Sequence, residues 1–391
     1  MKLFSPGLEA SFVSRPNRFL VVAKYKGRLV RAHCPNPGRV QEILLPGAPL
    51  LLSRAEAPLS GGPSRKTEYT LEAARYKGKI IPLYSGKANL ITRNLVIPSL
   101  FPRAEKVIAE ASAGRSRFDF YIENEGSRFY LEVKACTLCE YGIASFPDAP
   151  TERGTRHLLH LAEIANQGAG AIGAHVLFVL MHPDAGIFVP AIHTDPLFSR
   201  TLLHVRDLVK VHAVSVRADE SGEVSLENSA VPVCYGPVDW AIRNAGIYFL
   251  VCRLDSDRRI TVGSLGPLEF RAGFYIYAGS GKGILRSRIS RHLSKKKKAH
   301  WHIDYLTLAA DGVKAFPVYT ARPEECGKLE CGAAENLKDI TDFPVPGFGA
   351  GGCGCGSHLF YMKEDPLRSA AFTGLVFYCR YGTMRESLAG N

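Results

Sequence analysis

The alternation of hydrophobic and polar positions divides the chain into three stretches. In the first, residues 1–90, short apolar runs alternate with polar residues and are separated by turns such as Lys26-Gly27 and Lys77-Gly78. Several short strands joined by glycine turns, without a helical period, are typical of a small β-barrel. The predicted strands are 19–25, 28–33, 49–53, 68–76 and 79–84.

The middle stretch, residues 91–225, mixes the strand period with a helical one. Apolar residues recur every three or four positions over 151–167, and a second helix is predicted over 103–111. The predicted strands are 116–122, 128–134, 175–181 and 209–216, the first two forming a hairpin around 123–127. This mixture predicts an α/β domain. A polar, proline-containing linker is expected over 226–243.

The last stretch, residues 244–391, predicts a further α/β domain. Its expected strands are 246–253, 273–278 and 358–362, its helices 283–293 and 330–340, and its glycine-rich loop 343–356. The chain is therefore expected to be a multidomain protein of the α+β and α/β classes.

Composition excludes several classes of protein. With 46% hydrophobic and 22% charged residues in 391, each domain can form a core, so a mainly disordered chain is excluded. No apolar run approaches the roughly 18 residues of a membrane helix, and the first residues break at Pro6 and Gly7 without a signal-peptide stretch. The ten cysteines are mostly scattered, unlike a disulfide scaffold. We expect a soluble cytoplasmic protein with no membrane partner.

The net charge of +12 is unevenly distributed. Residues 1–90 carry 15 Lys and Arg against 5 Asp and Glu, residues 91–240 carry 13 against 18, and residues 241–391 carry 21 against 14. Basic surfaces attract the nucleic-acid backbone. The barrel's basic residues alternate with tyrosines, which fits either a nucleic-acid interface or ordinary outward strand positions. The candidate contacts are Arg15, Arg18, Lys24, Arg31, Arg39, Arg65 and Lys66.

The strongest chemical pattern lies on the predicted hairpin of the middle domain. Residues two apart in a strand share a face, so Glu132 and Lys134 point the same way, and the hairpin can place Asp119 beside Glu132. The two carboxylates could hold Mg²⁺ or Mn²⁺, and Lys134 could polarise a water molecule or stabilise charge at phosphorus. Glu110, at the end of the predicted helix 103–111, could be a further carboxylate. The alternative is a surface hairpin with a Glu–Lys pair.

Residues 1 to about 225 resemble the sugar fermentation stimulation protein A (SfsA) family. The resemblance rests on HCPNPGR (33–39), Arg65-Lys66, SRFDFYI (116–122), LEVKACTL (131–138) and FPDAPTERGTRH (146–157). It implies an N-terminal OB-like barrel, a PD-(D/E)xK nuclease-like domain and DNA binding. By that resemblance Asp119, Glu132 and Lys134 form the metal-dependent nuclease site, with Glu110 as an upstream carboxylate. Arg153, Arg156 and His157 open the following helix, where they could meet a phosphate or cap the helix and balance the nearby acidic residues.

The last domain resembles the GIY-YIG endonucleases and a related domain of unknown function. The resemblance covers about 245–365 and rests on Gly246-Ile247-Tyr248, Tyr277-Ala278-Gly279, HWHIDYL (300–306) and CGCGSHLFY (353–361). It implies Tyr248 or Tyr277 acting on a water molecule, Arg288 stabilising phosphate charge, and Glu330 binding a metal ion. The second motif has Ala where the superfamily has Ile, so binding without cleavage stays open.

The same domain carries further candidate contacts and ligands. Cys331, Cys353, Cys355 and His358 have the chemistry of a zinc site, or they could simply line the cleft. The candidate phosphate contacts are Arg291, His292, Lys295, Lys296 and Lys297, the lysines alternatively forming a solvated loop.

Two main functions follow from these patterns. The first is a Mg²⁺-dependent nuclease that hydrolyses phosphodiester bonds of DNA or RNA through metal-activated water. The second is a non-catalytic DNA-binding regulator, of the sugar-metabolism type that the family name suggests. An RNA-processing or repair adaptor, with both nuclease-like domains serving as docking modules, is a third class.

Overall fold

A computed structural model describes residues 1–54, 67–167 and 172–389. The chain forms two compact units, Met1–Tyr235 and Gly236–Asn391. The regions expected as two domains, 1–90 and 91–225, thus lie within the first unit. The boundary between the two units falls inside the expected linker 226–243. That segment also contains the end of one strand and a short helix.

The N-terminal barrel is closed by five strands. They are β1 (Leu8–Asn17), β2 (Leu20–Tyr25), β3 (Arg28–His33), β4 (Pro49–Arg54) and β5 (Tyr69–Tyr76). Parallel pairing of Ala32 with Tyr69 joins β3 to β5 and completes the circle. Along β2, Val21 and Ala23 are buried while Lys24 is exposed, as the two-residue period of a strand requires. Arg65 and Lys66 lie outside the described residues.

The barrel is continuous with the large sheet of the first unit. Strand β6 (Lys79–Pro82) pairs with β5, and its Ile80 pairs with Ala218 of β14 (Val209–Ala218). The order from there is β14, β12 (Gly173–Leu180), β9 (Ser127–Cys136), β8 (Ser116–Asn124) and β7 (Ala104–Ala113). Strand β15 (Val224–Asn228) pairs with β14, and a small sheet contains β10 (Cys139–Glu140), β11 (Ile143–Phe146) and β13 (Ile187–Pro190).

Helices cover this sheet. They are α1 (Ala88–Ile91), α2 (Ile97–Leu100), α3 (Glu152–Ala165) and α4 (Pro196–Val205). Helix α3 begins where Thr151 accepts a hydrogen bond from the Gly154 amide at 3.1 Å, which is N-capping. Its apolar face buries Leu158 and Leu161 in a core shared with Val176 and Phe178 of β12. This packing sets the first turn of α3 beside the hairpin β8–β9.

The helix predicted over 103–111 is wrong, because these residues form the edge strand β7. Ala109 pairs with Phe120 and Ala111 with Phe118 on β8. As an edge strand, β7 leaves most of its side chains exposed, so the two-residue alternation that identifies a half-buried strand is missing.

The second unit has a five-stranded sheet with helices packed around it. Its strand order is β20 (Gly312–Tyr319), β16 (Gly246–Leu254), β19 (Gly273–Gly281), β22 (Leu359–Met362) and β21 (Phe343–Pro344), and β17 (Arg258–Thr261) pairs with β18 (Pro267–Phe270). The helices are α5 (Val238–Arg243), α6 (Leu285–Leu293), α7 (His302–Ala309), α8 (Cys326–Ile340), α9 (Ala370–Phe377) and α10 (Thr383–Ala389). Among the residues described, no helix has the length and apolar character needed to cross a membrane.

Candidate functional site

Asp119 lies where the hairpin β8–β9 stops pairing. The last paired residues of its open end are Phe120 and Leu131. Beyond them a side-chain hydrogen bond replaces the pairing of the two backbones: Asp119 Oδ2 accepts from the Val133 amide at 2.7 Å. The carboxylate is thereby fixed next to Glu132 on β9.

Glu132, Lys134 and His157 form one hydrogen-bonded group. The Glu132 side chain is buried, with 5% of its surface exposed. Its Oε1 accepts a hydrogen bond from Lys134 Nζ and lies 2.6 Å from Nδ1 of His157 on the first turns of α3. Glu132 and Lys134 therefore share a face, as the strand period predicts, and a helix supplies the third member.

Sequence reasoning missed Asn89 as part of this site and did not predict that His157 would contact Glu132. Asn89, on α1, donates from Nδ2 to Asp119 Oδ1 at 2.7 Å. Asn89 is 30 residues from Asp119 and His157 is 25 from Glu132, so no local pattern connects them. The SfsA-like stretch ending at His157 was the available signal.

Glu110 does not lie at a helix end. It belongs to the edge strand β7, has a positive φ of 53°, and its side chain is 54% exposed. Its carboxylate forms an ion pair with Arg117, whose Nε lies 2.8 Å away. The helical carboxylate expected beside Asp119 is therefore absent at position 110, and the helical partner of Asp119 is Asn89.

The two carboxylates, of which Glu132 is buried and Asp119 half-buried, have opposite pKa shifts. Burial, followed by the negative charge of Glu132, raises the pKa of Asp119 above its ordinary value. Burial also raises the pKa of Glu132, but hydrogen bonds and charge from His157 and Lys134 outweigh it, so the pKa of Glu132 is lowered. The ionised form of Glu132 is therefore stabilised. The ionised form of Asp119 is disfavoured, and a nearby cation would stabilise it.

A barrel loop is joined to the segment that leads into α3. Arg15 donates to the carbonyls of Asn36 and Gly38, both at 2.7 Å, so its guanidinium organises the loop. Asp148 accepts the Val40 amide at 3.1 Å, and a Cβ at Gly38 would lie 2.4 Å from its carboxylate. Two SfsA-like stretches, 33–39 and 146–157, therefore meet at this contact.

Several predicted nucleic-acid contacts are exposed. On the barrel these are Arg18, Lys24, Arg31 and Arg39. Val22 pairs with Arg31 and Lys24 with Leu29 across β2 and β3, so the two cations share one face of the barrel with Leu29, which is 67% exposed. Arg153 and Arg156 are exposed on the first turns of α3.

In the second unit, Tyr248 and Tyr277 lie on paired strands, and both side chains lie against Gly279. A Cβ at Gly279 would lie 2.4 Å from Tyr248 Oη and 2.8 Å from Tyr277 Cε1. Tyr248 is buried and its hydroxyl lies 2.9 Å from His292 Nε2. Burial raises the pKa of both tyrosines well above the ordinary value, and Arg288 and Glu330 act on both electrostatically. The structure thus brings the four predicted residues together.

The basic residues that follow are less exposed than expected. Arg288 and Arg291 stack on Trp301, each guanidinium carbon 5.0 Å from the ring centroid. Arg291 also donates to buried Asp304 at 2.8 Å. His292 is buried rather than on the surface, and burial lowers its pKa to about 4.

The three predicted lysines face different ways. Lys295 Nζ binds the Ala310 carbonyl at 2.6 Å, and Lys297 Nζ binds the His292 carbonyl at 2.8 Å. Their ammonium groups thus bind backbone carbonyls at the C-terminal ends of α7 and α6. Lys296 is exposed, so a phosphate could contact it as predicted.

Glu330, Cys331, Cys353, Cys355 and His358 also lie together. Ser280 Oγ donates to one Glu330 oxygen, and the other lies 2.9 Å from His358 Nδ1. Glu330 therefore sits between the tyrosine cluster and the cysteines.

Three family models match the chain. They are the SfsA N-terminal OB domain over residues 13–83, the sugar fermentation stimulation protein RE domain over 87–222, and the domain of unknown function DUF123 over 247–375. The last agrees with the GIY-YIG-like fold expected of the second unit.

Relatives and a solved structure agree with these matches. A sugar fermentation stimulation protein homolog of Clostridium tetani is 38% identical over 216 residues, which is 54% of this chain and 90% of the relative. One of Methanobrevibacter smithii is 36% identical over 209 residues, 50% of this chain and 84% of the relative. The structure of Pyrococcus furiosus SfsA in complex with Ca²⁺ is 27% identical, with a TM-score of 0.53, covering 60% of this chain and 99% of that chain. The chain therefore belongs to the sugar fermentation stimulation protein family and carries an additional DUF123 domain.

Proposed function

We propose that the protein is a nucleic-acid-binding, divalent-cation-dependent phosphodiesterase whose main cleavage site is formed by Asp119, Glu132 and Lys134. The observation that carries the proposal is the buried Glu132 beside the half-buried Asp119, with a lysine and a histidine hydrogen-bonded to Glu132. A protein that only binds nucleic acid does not need a buried carboxylate next to a half-buried one, because withdrawing two like charges from water costs free energy unless a cation compensates them.

The donor set fits Mg²⁺ or Mn²⁺. Both cations prefer oxygen ligands, and Asp119 and Glu132 offer carboxylate oxygens on adjacent strands. Burial and the Glu132 charge raise the pKa of Asp119, so a cation between the two groups would relieve their repulsion. When bound, the ion would supply positive charge at the scissile phosphate. The Ca²⁺ complex of the Pyrococcus furiosus relative supports a cation-binding fold.

The remaining residues have separate tasks in this proposal. Lys134, anchored by Glu132, orients the attacking water molecule and stabilises the negative charge that develops on phosphorus oxygens. His157 keeps Glu132 ionised and oriented. The exposed Arg153 and Arg156, at the N-terminus of α3, hold the phosphate. The water oxygen forms a bond to phosphorus and loses one proton to solvent, while the bond to the leaving sugar oxygen breaks and that oxygen takes up a proton from solvent to become a hydroxyl.

Binding in this proposal is the task of the barrel. Arg18, Lys24, Arg31 and Arg39 are exposed and contact phosphates, and the neighbouring apolar side chains offer surfaces on which bases can pack. Such contacts recognise the backbone and do not themselves read sequence. The second unit binds, or cuts, a further nucleic-acid structure through Tyr248, Tyr277, Arg288 and Glu330.

The decisive experiment incubates the purified chain with labelled single- and double-stranded DNA and RNA in Mg²⁺, Mn²⁺ or EDTA. We expect cleavage that needs a cation, is lost in Glu132→Gln and Lys134→Ala, and persists in Glu123→Gln. Glu123 is the matched control because it lies on the same hairpin but pairs with Lys106 at 3.2 Å. Binding should survive in all three variants. Cleavage that persists in both site variants would refute the assignment, and binding without cleavage in every condition would favour the DNA-binding regulator.

A further inference from the structure

The second unit gathers three thiols and one imidazole at a single point. Cys331, Cys353, Cys355 and His358 each offer one ligand atom, and these atoms all lie within 4.8 Å of one another. In a tetrahedral zinc site with Zn–S bonds near 2.3 Å, neighbouring sulfur atoms are about 3.8 Å apart. Small side-chain movements would therefore bring the four atoms into a tetrahedron.

The four residues come from two parts of the fold. Cys331 lies on α8, while Cys353, Cys355 and His358 belong to the glycine-rich segment between β21 and β22. Apart from a few turns, the segment from 346 to 358 has no regular secondary structure. A bond from each side to one ion would tie this loop to the helix, as structural zinc does in small domains.

The imidazole is already oriented for a metal. His358 is 2% exposed, and its Nδ1 lies 2.9 Å from Glu330 Oε1. A carboxylate at that distance favours the tautomer with its proton on Nδ1, which leaves the lone pair of Nε2 for a metal. Nε2 faces the cysteines, at 3.3 Å from Cys353 Sγ. A carboxylate behind a metal-binding histidine is a recurrent second layer of zinc sites.

We propose that Cys331, Cys353, Cys355 and His358 bind one structural zinc ion, with Glu330 orienting His358 from behind. Three thiolates and one neutral imidazole form a closed Cys₃His set, which is the composition of structural rather than catalytic zinc. Two cysteines would suffice for a disulfide, and an apolar lining would need neither the histidine nor the carboxylate. The zinc site gives Glu330 a positioning role, and it does not depend on cleavage at Glu132.

The test measures the metal directly in the full chain, produced without a metal-affinity tag and gel-filtered after growth in zinc-supplemented medium. We expect one zinc per chain by mass spectrometry, and only a small fraction of that in Cys331→Ser and Cys353→Ser. Cys379→Ser is the matched control, because Cys379 is a half-buried thiol of the same unit outside the cluster, and it should keep the zinc. Glu330→Gln should keep the stoichiometry but lower zinc affinity about 10- to 100-fold in chelator competition.

A second measurement on the unaltered chain removes any dependence on the folding of variants. Titration with an organomercurial should release zinc, followed with a colorimetric chelator, as the cluster's thiols react. A cobalt-substituted chain should show the thiolate charge-transfer absorption of tetrahedral cobalt. A chain that retains no zinc, equal zinc in Cys353→Ser and Cys379→Ser, or a disulfide within the cluster of the isolated protein would each overturn the proposal.

Discussion

The barrel's contribution to binding can be tested by removing four charges. Arg18, Lys24, Arg31 and Arg39 are exposed on the barrel, and their replacement by Gln keeps long polar side chains while removing the positive charge. Deleting residues 1–90 would not be equivalent, because β6 pairs with β14 and the barrel belongs to the same compact unit as the carboxylate site.

The size of the effect follows from counterion release. Each phosphate neutralised on a duplex contributes about −0.9 to the slope of log affinity against log salt concentration. If each of the four cations contacts one phosphate, the fourfold variant should have a slope shallower by about 3.6. Over a fourfold rise in salt, the unaltered protein would then lose about 150-fold more affinity than the variant.

The assay is fluorescence anisotropy of a labelled duplex at several KCl concentrations, in EDTA so that no cleavage occurs. A matched control removes the same charge from exposed cations on α4, directly after α4 and on β14. The control substitutions are Arg200→Gln, Arg206→Gln, Lys210→Gln and Arg217→Gln. We expect the control to keep the original slope. Equal salt slopes for the original protein and the barrel variant would refute the barrel as the binding surface. The same reduction of the slope in the barrel variant and the control variant would also refute it.

Three further predictions concern individual side chains. Burial, with the charge of Asp148, raises the pKa of Glu42 to about 8 from an ordinary value near 4.5. Between these two pH values Glu42 is protonated in the folded state but ionised in the unfolded state. The free energy of unfolding should therefore fall with rising pH by up to about 1.4 kcal/mol per pH unit. Glu42→Gln should flatten this dependence in urea unfolding, and an unchanged profile would contradict the assignment. Gly279→Ala should destabilise the second unit by roughly 1–3 kcal/mol because its Cβ would meet Tyr248, whereas Gly351→Ala meets nothing within 4 Å and should be neutral in the same unfolding assay. His157→Gln should raise the pKa of Glu132 and move the acidic limb of the cleavage pH profile upward, and a limb that stays in place would argue against this coupling.

The hairpin of the carboxylate site could be predicted because its geometry is local. Glu125 and Gly126 both have positive φ, which suits a tight two-residue turn, and Asn124 pairs with Ser127. Counting back along an antiparallel pair then puts Asp119 opposite Glu132. The sequence predicted a longer turn, over 123–127, than the observed Glu125-Gly126 turn, but either turn brings Asp119 close to Glu132, so their proximity was predictable.

The rest of the site depends on contacts between distant segments. Asn89 and His157 reach the carboxylates only because helices α1 and α3 pack against the sheet, and neither residue type signals that packing in advance. The error at Glu110 has the opposite origin. A mostly exposed edge strand lacks the alternation that separates it from a helix, so the local pattern around position 110 suggested the wrong element.

The pairing of Ile80 with Ala218 makes the barrel and the carboxylate site parts of one continuous sheet. A hydrogen-bonded sheet does not stretch as a flexible tether does, so the separation between the barrel surface and Glu132 stays constant. A nucleic acid held on the barrel would present the same phosphate to Glu132 each time it bound. Under the proposed cleavage function, each cut would then lie a fixed distance from the phosphates that the barrel holds.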